Sequence, residues 1–220
     1  MESHLYRDVI AVCSADGSCY VRNDNALGGF SGALQTSLLR FSSGGETALA
    51  TMPLNLPRGG AAFQYVCAAG AGGGGADPLN GTCPPLLSVL QGAGCDPSGT
   101  DCALIARAVD AGGLAVDENF QLLSPPYKLA LPPANVTAKV DGTSPRPSDG
   151  AVPITITADA FALYAWLSTE AQGRFETNFL PLSPGTRIVW FIPFPGFDAG
   201  ELQRTLRVEH VQAGLGVNRV

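Results

Sequence analysis

The sequence predicts an all-β protein of two consecutive immunoglobulin-like antiparallel β-sandwiches, and three observations support this. Strand-length apolar segments recur along the chain, and each is bounded by Gly, Asn, Asp or Pro. Turn-forming residues are abundant, with 27 Gly and 17 Pro in 220 residues, and only 15% of residues are charged. A Pro-rich joint then separates two series of segments, and each series is long enough to bury a core of its own.

The first predicted domain spans residues 8–133. Seven short strands joined by hairpin turns are the usual count of an immunoglobulin-like sandwich, and a closed barrel is the alternative architecture. The predicted strands are 8–13, 19–23, 33–41, 48–56, 62–68, 103–110 and 114–123.

A Gly- and Cys-rich insertion near residues 68–101 interrupts this strand pattern. It begins with the stretch GAGGGG at 70–75 and contains one predicted helix over 84–91, which the two prolines at 84 and 85 would start. The insertion is several times longer than a usual connection between strands. A locally cross-linked surface excursion is favoured over a binding lid.

The second predicted domain spans residues 134–215, after prolines that flank residues 127–131 and leave room for a last strand or a stiff linker. Its final segment alternates apolar and polar residues, as a half-buried strand requires. The predicted strands are 136–140, 152–158, 163–167, 187–191 and 202–212, with a Pro-rich turn region over 141–150.

Charge and hydropathy exclude two classes of partner. The net charge is −6 and the 13 Lys and Arg are scattered, so no nucleic-acid partner is predicted. No stretch approaches the roughly 18 apolar residues of a membrane span, and no polybasic patch is present, so no membrane partner is predicted. The N-terminal sequence shows no signal peptide.

Cysteine content and glycosylation motifs nevertheless indicate a secretory route. The chain has six cysteines and two N-glycosylation sequons, at Asn80 and Asn135. We therefore expect a secretory, lysosomal/vacuolar or extracellular location, in which the export signal belongs to a longer parent protein.

Several segments together carry a family resemblance. The first half has YVRND at 20–24, LLRF at 38–41, LPRGGAAFQYVC at 56–67 and VDENFQLLSPP at 116–126, and the second half has AVPITITADAFALYAWLSTEAQGRFETNFLPLSPG at 151–185. Their order resembles the C-terminal β-sandwich domains of β-mannosidase-like and exo-β-glucosaminidase-like members of glycoside hydrolase family 2. The Gly-rich insertion and its cysteines depart from that family.

The resemblance implies a non-catalytic C-terminal region that supports the catalytic barrel of a parent enzyme. In that family a central (β/α) barrel carries an acid/base Glu and a nucleophile Glu, and none of the seven Glu here lies in a context that builds such a barrel. No catalytic residue is carried over, and no hydrolysis by this chain alone is expected. The alternatives are a free-standing carbohydrate-binding or adhesion module and a truncated gene product without activity.

Motifs for other chemistries are incomplete. The segment GFSGA at 29–33 lacks the last Gly of a nucleophile elbow, and the glycines at 70–75 are followed by no Gly-Lys-Ser/Thr. The cysteine gaps contain no C-x-x-C knuckle and the two His are remote, so disulfides are favoured over zinc. No metal and no cofactor are predicted.

Six cysteines permit fifteen complete pairings, and sequence alone fixes none of them. The preferred pairs are Cys13 with Cys19 across a short turn, Cys67 with Cys102 at the base of the insertion, and Cys83 with Cys95 within it.

Two tryptophans and one loop are the candidate contact residues for carbohydrate or another domain. Trp166 and Trp190 have flat rings suited to pyranose stacking, although filling of the sandwich core is the favoured interpretation. In the loop GRFETNF at 173–179, Gly173 is expected to take a positive φ and both Phe side chains to anchor the loop. Asn178 is expected to bond backbone, and Arg174 to project outward.

Overall fold

The computed structural model describes residues 7–65, 86–142 and 145–214. The chain divides into two compact units, to which we refer as the N-terminal domain (most of the chain up to Ala130) and the C-terminal domain (from Leu131 onward). Both consist mainly of antiparallel β-sheet, which confirms the predicted all-β, immunoglobulin-like fold class.

The N-terminal domain contains two antiparallel sheets. One has the strand order β1-β2-β5 and the other the order β4-β3-β6-β7. The strands are β1 (Val9–Cys13), β2 (Ser18–Asn23), β3 (Phe30–Arg40), β4 (Glu46–Leu56), β5 (Ala61–Tyr65), β6 (Cys102–Asp110) and β7 (Ala115–Leu122). All seven predicted strands of this half are present. Their ends within the described residues are shifted by up to three residues, and the predicted end of the fifth strand, 66–68, lies outside the described residues.

Residues from both sheets form the core of this domain. Val21 of β2, Leu34 of β3 and Leu104 of β6 are each fully buried in one apolar cluster. Alternation along the strands produces this arrangement, because successive side chains point to opposite faces of a sheet.

Side chains of β7 also bond the backbone of β1. The Asp117 Oδ2 atom accepts a hydrogen bond from the Ala11 amide at 2.8 Å, and the Asn119 Oδ1 atom accepts one from the Cys13 amide at 2.9 Å. Asp117 therefore satisfies a backbone amide group that β1 does not pair within its own sheet.

The described part of the insertion is a short helix followed by a disulfide. Helix α1 (Leu86–Gly92) buries Val89 and Leu90 in the core of the N-terminal domain. The Gly-rich stretch, Cys67, Cys83 and the sequon at Asn80 lie outside the described residues.

The disulfides correct two of the three predicted pairings. Cys13 and Cys19 are bonded and lie opposite each other on β1 and β2. Cys102, however, is bonded to Cys95, so the predictions of Cys67 with Cys102 and of Cys83 with Cys95 are wrong. The reason is that α1 packs into the core and returns the chain to the start of β6, which brings Cys95 beside Cys102.

The C-terminal domain also contains two antiparallel sheets, with strand orders β12-β10-β14 and β11-β13-β9-β8. Before it, the Pro-flanked segment forms a 3-10 helix at Pro126–Lys128 rather than a strand. The strands are β8 (Val136–Val140), β9 (Val152–Ala158), β10 (Ala162–Ser168), β11 (Gly173–Phe175), β12 (Leu180–Leu182), β13 (Gly185–Pro193) and β14 (Arg207–Glu209). Their inward side chains, including Ile154, Leu167 and Phe191, form a second core.

The predicted strand over 202–212 is wrong. This segment forms helix α2 (Ala199–Thr205), the short strand β14 and helix α3 (Val211–Gly214). The Asp198 side chain starts α2 by accepting a hydrogen bond from the Gly200 amide at 2.8 Å, and Leu202 is fully buried. Leu202 and Leu206 fit the helical spacing as well as the strand spacing, so alternation over so short a segment is ambiguous.

Gln212 fixes the end of the described chain to β10. Its Oε1 atom accepts a hydrogen bond from the Leu163 amide at 3.0 Å, and its Nε2 atom donates to the Phe161 carbonyl at 2.7 Å. Gln212 is fully buried, so these bonds satisfy its polar atoms away from water. Within the described residues, no helix has the length and apolar character needed to cross a membrane.

Candidate functional surfaces

Both tryptophans lie on outward faces of the C-terminal domain. Trp166 on β10 stands between the buried Ala165 and Leu167, and Trp190 on β13 alternates in the same way with buried neighbours. Both side chains are half-buried. The favoured expectation that they fill the core is therefore wrong, because a strand residue next to inward-facing neighbours must point away from the core.

The half-buried Trp166 ring and the exposed Phe179 ring are stacked, and we call this pair the aromatic surface. Their ring centroids are 6.1 Å apart at an interplanar angle of 25°, and Phe179 is 60% exposed. The Trp166 Nε1–H group donates a hydrogen bond to the Glu209 Oε2 atom of β14 at 3.1 Å. The outer side of sheet β12-β10-β14 thus presents two adjacent rings beside a carboxylate.

The backbone at Phe179 is held in an uncommon conformation. Phe179 has a φ of 57°, in the left-handed region that non-glycine residues rarely adopt. The preceding Asn178 fixes the loop, because its Oδ1 atom accepts from the Leu167 amide at 2.7 Å and its Nδ2 atom donates to the Leu167 carbonyl at 2.9 Å. The Phe179 ring is therefore displayed on a fixed loop.

The rest of this loop agrees only in part with expectation. Phe175 packs edge-on against the buried Phe191 ring at 5.3 Å and anchors the loop, whereas Phe179 does not. Gly173 does not have a positive φ. It is needed because a Cβ atom there would overlap the Phe191 ring and lie 2.6 Å from the Ile192 carbonyl oxygen.

Tyr164 is a second residue of β10 with unusual backbone geometry. Its φ is 48°, and the pairing of β10 with β12 shifts register between Ala162 and Ala165. Burial raises the pKa of the Tyr164 hydroxyl, so the phenol stays neutral at all physiological pH values. The regular pairing of β10 with β12 is thus interrupted just before Trp166.

The guanidinium of Arg146 lies over the outward face of the Trp190 ring. We call Trp190 and Arg146 together the cation surface. The Arg146 guanidinium carbon lies 4.9 Å from the centroid of the Trp190 ring. The same guanidinium donates two hydrogen bonds to Asp149, at 2.9 and 2.6 Å, and one to Glu176 at 3.1 Å. The Arg146 hydrogen bond above all, and then the bond from the Ala151 amide, lower the pKa of Asp149 to about 2.

The structure distributes the four predicted contact residues over the two sheets of the C-terminal domain. Asn178 and Trp166 lie at the aromatic surface, while Arg174 and Trp190 belong to sheet β11-β13-β9-β8. Arg174 is exposed and pairs with Ile192, in agreement with the expected outward projection. The two tryptophans are on different sheets, so they do not form one sugar-stacking platform.

Sequence reasoning did not identify Phe179, Glu209 or Arg146 as members of these surfaces. The spacing of Arg146 and Asp149, three residues apart in a turn, was one usable signal. The exposure of Phe179 depends on its φ, which the sequence does not reveal.

In the N-terminal domain, the carboxylates of Glu46 and Glu118 form ion pairs that link neighbouring strands. Arg107 on β6 bonds both Glu46 and Glu118 at 2.6 Å, on strands β4 and β7. Hydrogen bonding to Arg107 lowers the pKa of Glu46, although its burial acts in the opposite direction. A glycosidase general acid needs a raised pKa, so Glu46 is unsuited to that role.

Among the described residues, one group of potential metal ligands is clustered, namely Cys95, Asp101 and Cys102. Both of its sulfur atoms are consumed by the disulfide. A cysteine binds a metal as its thiolate, so these two cysteines cannot bind one while they form the disulfide.

The C-terminal domain matches a known family. Residues 131–213 fit the model of the Ig_mannosidase family, an Ig-fold domain. No curated protein sequence matches the chain significantly.

Solved structures extend the likeness to both domains. The β-D-mannosidase from Dictyoglomus thermophilum superposes with a TM-score of 0.60 at 17% identity, over 94% of this chain and 22% of that enzyme. The exo-chitosanase CsxA from Amycolatopsis orientalis gives 0.54 at 16% identity, over 94% of this chain and 26% of the enzyme. The chain therefore spans about a quarter of these enzymes, and the predicted resemblance to β-mannosidase-like C-terminal sandwiches is confirmed at the level of fold.

Proposed function

We propose that this chain is the non-catalytic C-terminal region of a β-mannosidase-like exo-glycosidase and supports a catalytic barrel that lies outside it. The observation that carries the proposal is the match of residues 131–213 to the Ig_mannosidase model, in a chain of which 94% superposes on only 22% of a β-mannosidase. The lowered pKa of Glu46, which Arg107 bonds, is consistent with this proposal, because a glycosidase general acid needs a raised pKa.

We assign the contact with the barrel to the aromatic surface. Phe179 is exposed, its backbone is fixed by Asn178, and its ring lies against Trp166, so the surface is pre-organised for a partner. Large exposed aromatic rings of this kind are enriched at the centres of protein interfaces.

A carbohydrate ligand is the second candidate for the same surface, and the hydrogen bonds argue against it. Sugar sites need polar groups that converge on the ligand beside the stacking ring. Here the Trp166 Nε1–H group is bonded to Glu209, and both polar atoms of the Asn178 amide are bonded to Leu167. Two rings whose polar neighbours are already satisfied suit a protein partner better.

The proposed compartment is the secretory pathway, in which the parent enzyme would be secreted or delivered to a lysosome or vacuole. The bonds Cys13–Cys19 and Cys95–Cys102 support this proposal, because such disulfides persist in oxidising compartments.

The size of the native polypeptide tests directly whether this chain is part of a longer parent enzyme. A chain that makes up 22 to 26% of its parent implies a parent about four times the 22.7 kDa mass of this one. An antibody raised against the C-terminal domain should detect that larger species by immunoblot in the native source. A single 22.7 kDa species, with no associated barrel protein in the immunoprecipitate, would contradict the proposal.

Binding to a separately expressed barrel from the same reading frame tests the contact. Isothermal titration calorimetry should show association with the unaltered chain, and a loss of at least tenfold in affinity for Phe179→Ala, in line with an interfacial aromatic hot spot of roughly 2 kcal/mol. Ile188→Ala is the matched control, because Ile188 is 52% exposed on the other sheet. An equal loss of affinity in both variants would contradict the assignment of the barrel contact to the aromatic surface.

The same proteins distinguish the carbohydrate alternative. The isolated chain should neither bind mannose or glucosamine oligosaccharides nor hydrolyse aryl β-mannosides. Saturable oligosaccharide binding that Phe179→Ala abolishes would instead establish a carbohydrate-binding module.

A further inference from the structure

We propose that Asn135 carries an N-linked glycan. Asn135, Val136 and Thr137 form a sequon at the start of β8, and both the Asn135 and Thr137 side chains are exposed. Alternation along the strand places these two side chains on the same face. The acceptor amide and the hydroxyl that the glycosylating enzyme must recognise are therefore displayed together.

The Asn135 side chain is available although its backbone is fixed. The backbone amide nitrogen of Asn135 donates a hydrogen bond to the Asp159 Oδ1 atom at 2.7 Å, and the backbone carbonyl oxygen of Asn135 accepts one from the Asp159 backbone amide at 3.2 Å. Among the hydrogen bonds of the described residues, none involves the side-chain amide of Asn135. A sugar attached to the Asn135 Nδ2 atom therefore breaks no hydrogen bond that stabilises the fold.

The surface around Asn135 also accommodates a glycan. Thr137 of β8, Thr157 of β9 and Thr186 of β13 lie side by side across the sheet, and all three are exposed. The Thr157 and Thr186 hydroxyls are hydrogen-bonded at 3.3 Å. This threonine row is polar, so a sugar lying on it displaces no apolar contact.

Strand β8 is moreover the edge of its sheet. An exposed edge strand can pair with another chain, and proteins prevent this with charged or bulky groups. Lys139 is one such group on β8, and a glycan at Asn135 adds a second at the opposite end of the strand.

The modification is a group transfer. The Asn135 Nδ2 atom attacks the anomeric carbon of a lipid-pyrophosphate-linked oligosaccharide, which forms the N–C bond as the C–O bond to pyrophosphate breaks. The amide nitrogen loses one proton, and the lipid pyrophosphate leaves. The inference rests on the secretory compartment that the disulfides support and is independent of the enzyme family of the parent.

Peptide mapping of protein purified from its native source tests the proposal. Trypsin cuts after Lys128 and Lys139 and releases LALPPANVTAK at 129–139, which contains Asn135 as its sole sequon. We expect little of this peptide at its unmodified mass. After peptide-N-glycosidase treatment in heavy-oxygen water, it should be recovered with Asn135 converted to labelled Asp. A predominantly unmodified peptide in the native protein would overturn the proposal.

Secretion of the whole chain from a glycosylating host provides the matched comparison. All variants carry Asn80→Gln, so that any gel shift reports Asn135 alone. Thr137→Ser preserves the sequon and should keep the shift, whereas Thr137→Ala and Asn135→Gln should abolish it. A shift that persists in Thr137→Ala would place the glycan elsewhere and contradict the assignment.

Discussion

The side chain of Asn178 pairs with the backbone of Leu167 as a neighbouring strand residue would. Its Oδ1 atom accepts from the Leu167 amide at 2.7 Å, and its Nδ2 atom donates to the Leu167 carbonyl at 2.9 Å. Strand β12 pairs with β10 only as far as Leu180, opposite Ala165. The Asn178 amide therefore extends the ladder beyond the end of β12 and fixes the loop that displays Phe179.

Asn178→Ala should lower the free energy of unfolding of the C-terminal domain by about 1 to 3 kcal/mol, because it leaves the backbone groups of Leu167 without these partners. Asn178→Asp keeps an acceptor but loses the donor, so its effect should be intermediate. Both tryptophans of the chain lie in this domain, so urea unfolding followed by tryptophan fluorescence measures its stability selectively. An unchanged midpoint in Asn178→Ala would show that the ladder extension is unimportant.

Phe175 and Phe179 should differ sharply on replacement by Ala. Phe175 packs on the buried Phe191, so Phe175→Ala should cost about 3 kcal/mol. Phe179 is 60% exposed and has a positive φ, so Phe179→Ala should change stability by less than about 1 kcal/mol. Phe179→Gly should be at least as stable as Phe179→Ala, because glycine adopts a φ of 57° without steric cost. Equal losses for Phe175→Ala and Phe179→Ala in urea unfolding would contradict this assignment.

Gly173→Ala should destabilise the C-terminal domain by about 1 to 3 kcal/mol, since the added methyl group overlaps the buried Phe191 ring and forces the core to move. Gly142→Ala is the control, because a Cβ atom there meets nothing within 4 Å. The same fluorescence-detected unfolding compares the two variants. Similar midpoints for both would mean that β11 shifts freely and that the close approach at Gly173 is not required.

The pKa of Asp149 should be about 2 when measured by NMR of its carboxyl carbon, well below its ordinary value of 3.8. Because the folded-state pKa is depressed, the stabilisation from this group is fully present above pH 3.8 and is lost as the pH falls through about 2. Arg146→Gln should return the pKa of Asp149 toward 3.8, since the Arg146 hydrogen bonds are the largest cause of the shift. A pKa near 3.8 in the unaltered protein would show that the guanidinium does not hold Asp149 in solution.

The positions of the strands of the N-terminal domain could be predicted because hydrophobic alternation and turn residues act locally. The three-residue strands at 173–175, 180–182 and 207–209 could not, because alternation over three residues carries too little pattern. The tryptophans were correctly expected on strands, but which face they occupy depends on the register of the neighbouring strands. The aromatic surface depends further on the φ of Phe179, which tertiary bonds from Asn178 fix.

The disulfide pairing likewise depends on tertiary contacts that local sequence patterns do not reveal. Cysteine spacing suggested that Cys67 and Cys102 close the insertion, as two ends of adjacent strands would. The pairing depends instead on α1, whose Val89 and Leu90 are buried in the core and return the chain so that Cys95 meets Cys102. Such long-range packing is not encoded in the spacing of the cysteines.

The bond between Cys95 and Cys102 should therefore be found by non-reducing peptide mapping. Asp-N protease cuts before Asp96 and Asp101, and chymotrypsin cuts within α1 between Cys83 and Cys95, so the two cysteines fall on separate peptides joined only by the bond. Closing a loop with a sequence separation of 7 should stabilise the N-terminal domain by about 2 to 3 kcal/mol in the chain-entropy model. The double variant Cys95→Ser with Cys102→Ser should lose about that much stability in thermal unfolding followed by circular dichroism. A linked peptide pair that joins Cys102 to Cys67 instead would contradict the pairing and the position of α1 that produces it.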